Sequence, residues 1–445
     1  MRFNTVVCAS LVLALLGSGS AQQPSLDKDK LDRFLNRLAE KNKGMGSLTF
    51  ARDGKVLYSH AAGYSHVSGT EKKPATPATK YRIASITKTY TAVMVFQLVE
   101  EGKLQLADTL DRFFPQIPNA KTITIAHILG HRSGLPDLSP DGSWGKQRRT
   151  PDEIVARIAQ GQPQFEPGAK HQYSNTGYIL LGHVIEKIGG KPYQDALKER
   201  ITARIGLTNT YYLSAGNTDP ARNESTSYRY LDGWKEAEEL DFSVPGPAGS
   251  IVATPTDMTM FIKALFDLKL VSKSSLTLMT TMRDGEGMGL EPHTFAGKSC
   301  YGHTGGSGSS GAWLTYCPED KLALAYATNM KIYPVKEIVG AVFDVYWNRP
   351  FEIPTFDPVA VSPEVLDRYV GTYTPGPGAP VKLTITRRGG TLYFQPPGEQ
   401  SAMPLEATAQ DKFKIDPGVF FEFDAAKGEM KITRPGGTRV FSKEK

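Results

Sequence analysis

Apolar residues recur along this chain with two distinct periods. Between Leu26 and Lys43, the residues Leu31, Phe34, Leu35 and Leu38 fall at helical spacing with charges between them. That pattern predicts an amphipathic helix. Ser47 to Phe50 and Lys55 to Tyr58 read instead as strands around Asp53-Gly54, a strong hairpin signal. Ala92 to Val99 is apolar apart from Gln97 and ends at Glu100-Glu101-Gly102. It predicts a helix buried in the centre of a domain. Tyr178 to Ile188, closed by Gly189-Gly190, has the same helical character, as does Met258 to Leu270. Leu322 to Ala327 reads as a strand. Pro136 to Arg149 is rich in Pro, Gly, Ser and Asp and predicts an irregular excursion. Strands near both ends with helices between them predict an α/β or α+β domain whose sheet is assembled from distant segments.

The pattern changes after residue 349. Pro350, Pro354, Pro358 and Pro363 punctuate a stretch with little helical period, read as a semi-rigid linker over 350–362. Beyond it, Val381 to Thr386 alternates strictly, and Arg388-Gly389-Gly390 turns the chain into Thr391 to Phe394. Phe420 to Phe423, Met430 to Thr433 and Thr438 to Phe441 follow, separated by Gly and Pro turns. Short strands at regular spacing predict a small antiparallel β-barrel over 363–445. The domain expected before the linker covers 25–349.

Composition narrows the class. Of the 445 residues, 40% are hydrophobic and 22% charged, which excludes disordered and collagen-like chains. Formal charge is +6, from 52 basic and 46 acidic residues. No basic block exceeds Lys146-Gln147-Arg148-Arg149, so a solvated surface is expected and no nucleic-acid partner. After the N-terminus no apolar run nears the roughly 20 residues of a membrane span, so no integral membrane association is expected. Met1-Arg2, the apolar Val6 to Leu16 and Gly19-Ser20-Ala21 together read as a secretory signal peptide over 1–21. The mature protein is therefore expected to be extracytoplasmic, periplasmic or secreted. Cys8 leaves with that segment, and Cys300 and Cys317 remain, flanking a Gly/Ser-rich hairpin. They are either a disulfide, stabilising by ~3 kcal/mol for a loop of about 15 residues, or two buried thiols.

Three short segments carry candidate chemistry. In Ser85-Ile86-Thr87-Lys88, positions i and i+3 share a helical face, so the lysine amine can reach the serine hydroxyl. A serine needs a base to become nucleophilic, and a desolvated lysine can serve. Taken alone, a serine before a helix is more often only a cap. Tyr173-Ser174-Asn175 precedes the second helical run; the tyrosine can share a proton relay, and the amide can hold the lysine. The bland reading is a buried tyrosine and a turn asparagine. His303-Thr304-Gly305-Gly306 lies between the two cysteines, where glycines let a substrate backbone approach a strand edge. It also reads as a simple glycine-rich turn. His127 and His131, four apart, have metal-ligand spacing on a predicted helix, but no third ligand is evident and no metal is expected. No cofactor is expected either.

Taken together, the ordered motifs resemble the serine β-lactamase and penicillin-binding-protein superfamily. The surrounding sequence agrees: Tyr81-Arg82-Ile83-Ala84 before Ser85, Ile125 to Leu135, Tyr173 to Gly182, Ala248-Gly249-Ser250 and Thr256-Asp257-Met258. The chain looks most like the class C β-lactamase-related serine hydrolases over roughly residues 27 to 348. The resemblance implies an antiparallel sheet flanked by helices, and the C-terminal barrel resembles the lipocalin-like domains of many members. It implies Ser85 as the acylated nucleophile and Lys88 with Tyr173 as the general-base pair. Asn175 would position Lys88 and the substrate. Thr304 and Gly305 would bind substrate, and the backbone N–H groups of Ser85 and Gly306 would form the oxyanion hole. His303 departs from the lysine of class C β-lactamases, and a histidine titrates near neutrality, so its charge is conditional. The expected function is acyl-enzyme hydrolysis of amides or esters, as in D-aminopeptidases, D,D-peptidases or esterases, with small-molecule or peptide substrates including peptidoglycan fragments. The alternatives are a genuine β-lactamase or a non-catalytic wall-binding or sensing module on the same scaffold.

Overall fold

The computed structural model describes residues 26–136, 138, 144–230, 233–357, 359–376, 381–396, 402–415, 418–434 and 436–444. The expected signal peptide, residues 1–21, lies outside them. The first domain is built on a six-stranded antiparallel sheet. Its strands are β1 Gly44–Arg52, β2 Lys55–Ala62, β3 Glu291–Phe295, β4 Lys298–Ser307, β5 Ser310–Cys317 and β6 Leu322–Lys331. They lie in the order β3-β4-β5-β6-β1-β2, so the N-terminal hairpin docks on strands more than two hundred residues away. The Asp53-Gly54 turn has φ of 48° and 79°, as its hairpin signal requires.

Alternation along β6 divides the core. Leu322, Leu324 and Tyr326 face α1 Lys28–Glu40 and α5 Val335–Tyr346. Ala323, Ala325 and Ala327 face the opposite layer, where their small side chains let α4 Pro255–Phe266 pack close. That layer holds α2 Thr87–Glu100 and α3 Asn175–Gly189. In α2, Tyr90, Val93, Met94, Val95, Phe96 and Leu98 are fully buried. Each such large side chain contributes roughly 1.5–3 kcal/mol, and together they fix the helix that carries Lys88. The helix expected over Met258 to Leu270 starts earlier and stops at Phe266, because Leu268 takes a left-handed φ of 60°.

After α5, the described residues of 350–362 form neither helix nor strand, but Phe351 packs edge-on against Phe34 of α1 at 5.0 Å. The rest closes into an eight-stranded antiparallel barrel: β7 Gly371–Thr374, β8 Leu383–Arg388, β9 Thr391–Gln395, β10 Met403–Ala409, β11 Lys412–Ile415, β12 Val419–Asp424, β13 Glu429–Arg434 and β14 Gly437–Lys443. Closure comes from β7 pairing with β14. Sequence patterning locates five of these strands. It misses β7 and β11, which span four residues each, and β10, which carries Pro404 in its interior. Among the described residues no helix is long and apolar enough to cross a membrane.

Of the two alternatives for the cysteines, the disulfide is the one formed. Cys300 and Cys317 face each other across β4 and β5, 17 residues apart in sequence. Replacing both by serine is expected to lower unfolding stability by about 3 kcal/mol, read as a shift in denaturant midpoint at constant m. An unchanged midpoint would show that the crosslink contributes nothing.

Candidate active site

Ser85 occupies a single 3-10 turn, Ala84–Ile86, that runs directly into α2. Ala84 holds a left-handed φ of 46°, a conformation costing an alanine about 1–2 kcal/mol. The strain sits immediately before the hydroxyl. Lys88 follows one turn later and is completely buried. Its Nζ donates to Asn175 Oδ1 at 2.8 Å and to the Ala248 carbonyl at 2.9 Å, and lies 3.0 Å from Ser85 Oγ. Two fixed acceptors therefore claim two hydrogens. The remaining tetrahedral position of the nitrogen faces Ser85, where it can present either a proton or a lone pair.

Asn175 is the first residue of α3, and Ser174 caps that helix by accepting from the Gly177 N–H. Tyr173 stands one residue further out, with its ring centroid 4.9 Å from Lys88 Nζ. His131 fixes this corner. It also has a left-handed φ, 53°, and its Nδ1 accepts the Ser174 N–H at 3.0 Å. Its ring stacks on Tyr173 with centroids 4.4 Å apart. The helix expected to carry both His127 and His131 ends at Leu129, so the two share no helical face. His127 instead closes a capping box with Thr124.

The third motif lies on β4. His303 is buried, and its Nδ1 is 2.6 Å from the Thr304 carbonyl, which places a proton on that nitrogen. Its Nε2 has no hydrogen-bond partner among the described residues. Burial pushes the imidazole below its ordinary range, and Lys88 adds to this, while Glu291 offsets part of it. Burial therefore favours the neutral imidazole and moves the conditional charge of His303 below the ordinary histidine range. Gly305 packs against the backbone before the nucleophile. A Cβ there would overlap the Ile83 carbonyl oxygen and lie 3.4 Å from Ser85 N.

Behind these residues sits a layer that the sequence does not announce. Glu291 on β3 accepts from Thr304 N–H at 2.8 Å and faces His303 at 3.4 Å and His293 at 3.6 Å. Burial alone would raise its carboxyl; His303, His293 and the Thr304 N–H outweigh it and hold the pKa at about 2. Glu286 bonds His171 at 2.7 Å and faces His131 Nε2 at 3.4 Å. Its carboxyl is raised by burial, against His171, with Glu291 adding to the rise. Glu286, Glu291 and His303 offer ligand atoms within 4.8 Å of one another, a spacing that suits a metal ion. Glu286 bonds His171, Glu291 accepts from Thr304 N–H, and His303 Nδ1 faces the Thr304 carbonyl, which suits a hydrogen-bonded support.

In front of the site lies a cleft of about 430 Å³, lined by Ser85, Asn175 and Gly306 on one side. Lys146, from the irregular excursion, and Arg229, Glu238, Glu239 and Leu240 form other walls. Glu239 is committed to Arg82 at 2.8 Å and to Ser310 at 3.0 Å. The structure thus brings Ser85, Lys88, Tyr173, Asn175 and His303 to one place. Ala248 joins them from the Ala248-Gly249-Ser250 segment, which gave no hint of its carbonyl's role, and Glu286 and Glu291 join without a motif that could have revealed them.

Two measurements follow from this geometry. Gly305→Ala should cut fluorophosphonate labelling of Ser85 at least tenfold while circular dichroism stays native; full labelling would show that the close approach is dispensable. Glu291 falls from 4.5 unfolded to about 2 folded, a difference worth about 3 kcal/mol. A depressed carboxyl stabilises above the unfolded value and loses that contribution as pH falls towards the folded one. Glu291→Gln should therefore flatten the loss of stability between pH 5 and pH 2.

Comparison with known proteins agrees with the architecture. Penicillin-binding protein 4* of Bacillus subtilis is 27% identical over 417 residues, covering 86% of this chain and 90% of that protein. The D-amino acid amidase of Ochrobactrum anthropi SV3, complexed with D-phenylalanine, superposes with a TM-score of 0.65 at 27% identity, over 72% of this chain and 98% of that one. The octameric penicillin-binding protein homologue of Pyrococcus abyssi shares the fold over 94% of this chain and 100% of its own, with a TM-score of 0.64 at 24% identity. The Beta-lactamase family matches residues 31–341, which spans nearly the whole sheet and every motif described above. On that extent of match, the chain belongs to the beta-lactamase family of serine hydrolases.

Proposed function

We propose that the protein hydrolyses amide bonds of D-amino-acid derivatives and short peptides through an acyl-enzyme on Ser85. The observation that carries this reading is the three-point hold on Lys88 Nζ, which aims one tetrahedral position at Ser85 Oγ. Ser85 Oγ attacks the scissile carbonyl carbon, and its proton passes to the Lys88–Tyr173 pair. The carbonyl oxygen takes up negative charge opposite the N–H groups of Ser85 and Gly306. Collapse breaks the bond to the leaving amine, which departs with the proton. Water then attacks the ester, giving up its proton along the same path, and restores Ser85 with release of the acid. Thr304 and Gly305, on β4, offer a strand edge to an extended substrate.

The substrate class rests on two supports. The amidase relative was captured with D-phenylalanine. Burial favours the neutral form of His303, where a permanent cation would suit a β-lactam carboxylate. Work outside the cytoplasm is the accompanying reading, supported by the leader pattern of residues 1–21 and by the disulfide.

Ser85→Ala should abolish release of amine from D-phenylalanine amide and all labelling by a fluorophosphonate, a fall of at least a thousandfold. Retained turnover would remove the assignment. Because burial lowers His303, the acid limb of the pH–rate profile should lie below 6.5. His303→Lys, which cannot titrate there, should erase or displace that limb; an unchanged profile would exclude His303 as its origin. Intact mass after exposure to a penicillin separates the peptidase-like behaviour from the amidase reading: a long-lived adduct on the wild type, absent in Ser85→Ala, would favour a peptidoglycan peptidase.

A further inference from the structure

Two carboxylates meet four imidazoles behind the third motif. Glu286 lies in the turn before β3 and Glu291 opens that strand, with His131, His171, His293 and His303 around them. The hydrogen-bonded support uses one atom each of Glu286, Glu291 and His303. Glu286 Oε2 accepts from His171 at 2.7 Å, Glu291 Oε2 accepts the Thr304 N–H at 2.8 Å, and His303 Nδ1 donates to the Thr304 carbonyl at 2.6 Å. Each of the three keeps a second atom. Glu286 Oε1 faces His131 Nε2 at 3.4 Å without a hydrogen bond. Glu291 Oε1 receives the Thr304 hydroxyl at 3.3 Å, and a carboxylate oxygen carries a further lone pair. His303 Nε2 has no partner among the described residues, although the residue is only 1% exposed.

This arrangement is that of a metal site whose outer shell is already built. A ligand imidazole gives one N–H to a backbone carbonyl and turns its other nitrogen to the ion, and a ligand carboxylate is itself hydrogen-bonded. His303, Glu286 and Glu291 meet those conditions. A buried acceptor without a partner costs about 1–3 kcal/mol, which a bound cation at His303 Nε2 would relieve. His131 Nε2 and His293 Nε2 are likewise buried without a hydrogen bond, 3.4 Å and 3.6 Å from the two carboxylates. His131 accepts the Ser174 N–H at Nδ1, so its Nε2–H backs Glu286 and leaves the ion to the other three. Glu286, Glu291 and His303 offer ligand atoms within 4.8 Å of one another. A tetrahedron drawn at zinc–ligand distances of about 2.1 Å has edges of roughly 3.4 Å, so binding draws the side chains inward by about an ångström. Two carboxylates and one imidazole suit zinc and other first-row divalent ions, and three protein ligands leave a coordination position open. The Glu291 side chain keeps 23% of its surface exposed, which gives an ion a way in.

We propose that Glu286, Glu291 and His303 form a binding site for one divalent cation of the zinc type, with His131, His171 and Thr304 as its outer shell. No step of acyl transfer runs through the ion. Its charge would stand beside Tyr173, whose ring centroid is 6.4 Å from that of His303, where burial otherwise favours an uncharged imidazole. The test begins with untagged protein stripped by a chelator, the state to which the pH behaviour of His303 and Glu291 refers. Calorimetric titration with zinc should show one equivalent bound per chain. Affinity should fall at least fiftyfold in Glu286→Gln/Glu291→Gln with native circular dichroism. No binding by the wild type would overturn the proposal. Undiminished binding by the folded variant would mean an adventitious ion only and would overturn it equally. A wild-type crystal soaked in zinc needs no substitution, so it decides the matter even if the variant fails to fold. Anomalous scattering at the zinc edge should place an ion about 2.1 Å from one atom of each of the three residues. Anomalous peaks only elsewhere, or none, would overturn the site. Neither readout involves turnover, so failure here leaves the hydrolytic reading to its own test at Ser85.

Discussion

The site depends on one buried amine. Lys88 has lost all contact with water, and such a group is tolerated only where polar partners replace the lost hydration. Those partners come from three places far apart in sequence: Ser85 one turn before it, Asn175 at the head of α3, and the Ala248 carbonyl in a tight turn. Packing them around Nζ fixes how α2, α3 and that turn meet. The apolar surroundings of α2 make any other arrangement costly, because a displaced Lys88 would leave an unpaired charge in the core.

A further layer of constraint works through the histidines. His131 and His303 lie on either side of Tyr173, and each is backed by a glutamate, Glu286 and Glu291 respectively. Neutral imidazoles have a donor side and an acceptor side, so a hydrogen bond at one nitrogen fixes what the other presents. His131 accepts the Ser174 N–H and therefore turns its Nε2–H towards Glu286. His303 places its proton towards the Thr304 carbonyl and keeps an acceptor at Nε2. The two imidazoles thus present defined donor and acceptor sides around Tyr173.

Strain is concentrated at the same corner. Ala84 and His131 both adopt left-handed backbone, and each stands next to a residue of the machinery. Gly305 is the complementary device: its missing Cβ lets β4 press against Ile83 and Ser85. The close approach brings the third motif to the nucleophile without any covalent tie between the segments.

Much of this was readable from residues in order. Helical period and hairpin chemistry are local, so α1, α2, α3 and the Asp53-Gly54 turn follow from their own sequences. The spacing Ser85 to Lys88 sets one contact by helix geometry alone. The remaining contacts were not local. Glu286 and Glu291 carry no pattern, the Ala248 segment did not reveal that its carbonyl holds Lys88, and His131 looked like a helical neighbour of His127 until the chain turned left-handed after Leu129. Short barrel strands and one interrupted by Pro404 fell below the threshold at which alternation is legible. Sequence by itself determined which elements form and which residue types could do chemistry, since those depend on neighbours within a few positions. The tertiary structure alone decided which carboxylate faces which imidazole and which carbonyl holds Lys88, because these depend on distances between segments that no local periodicity encodes.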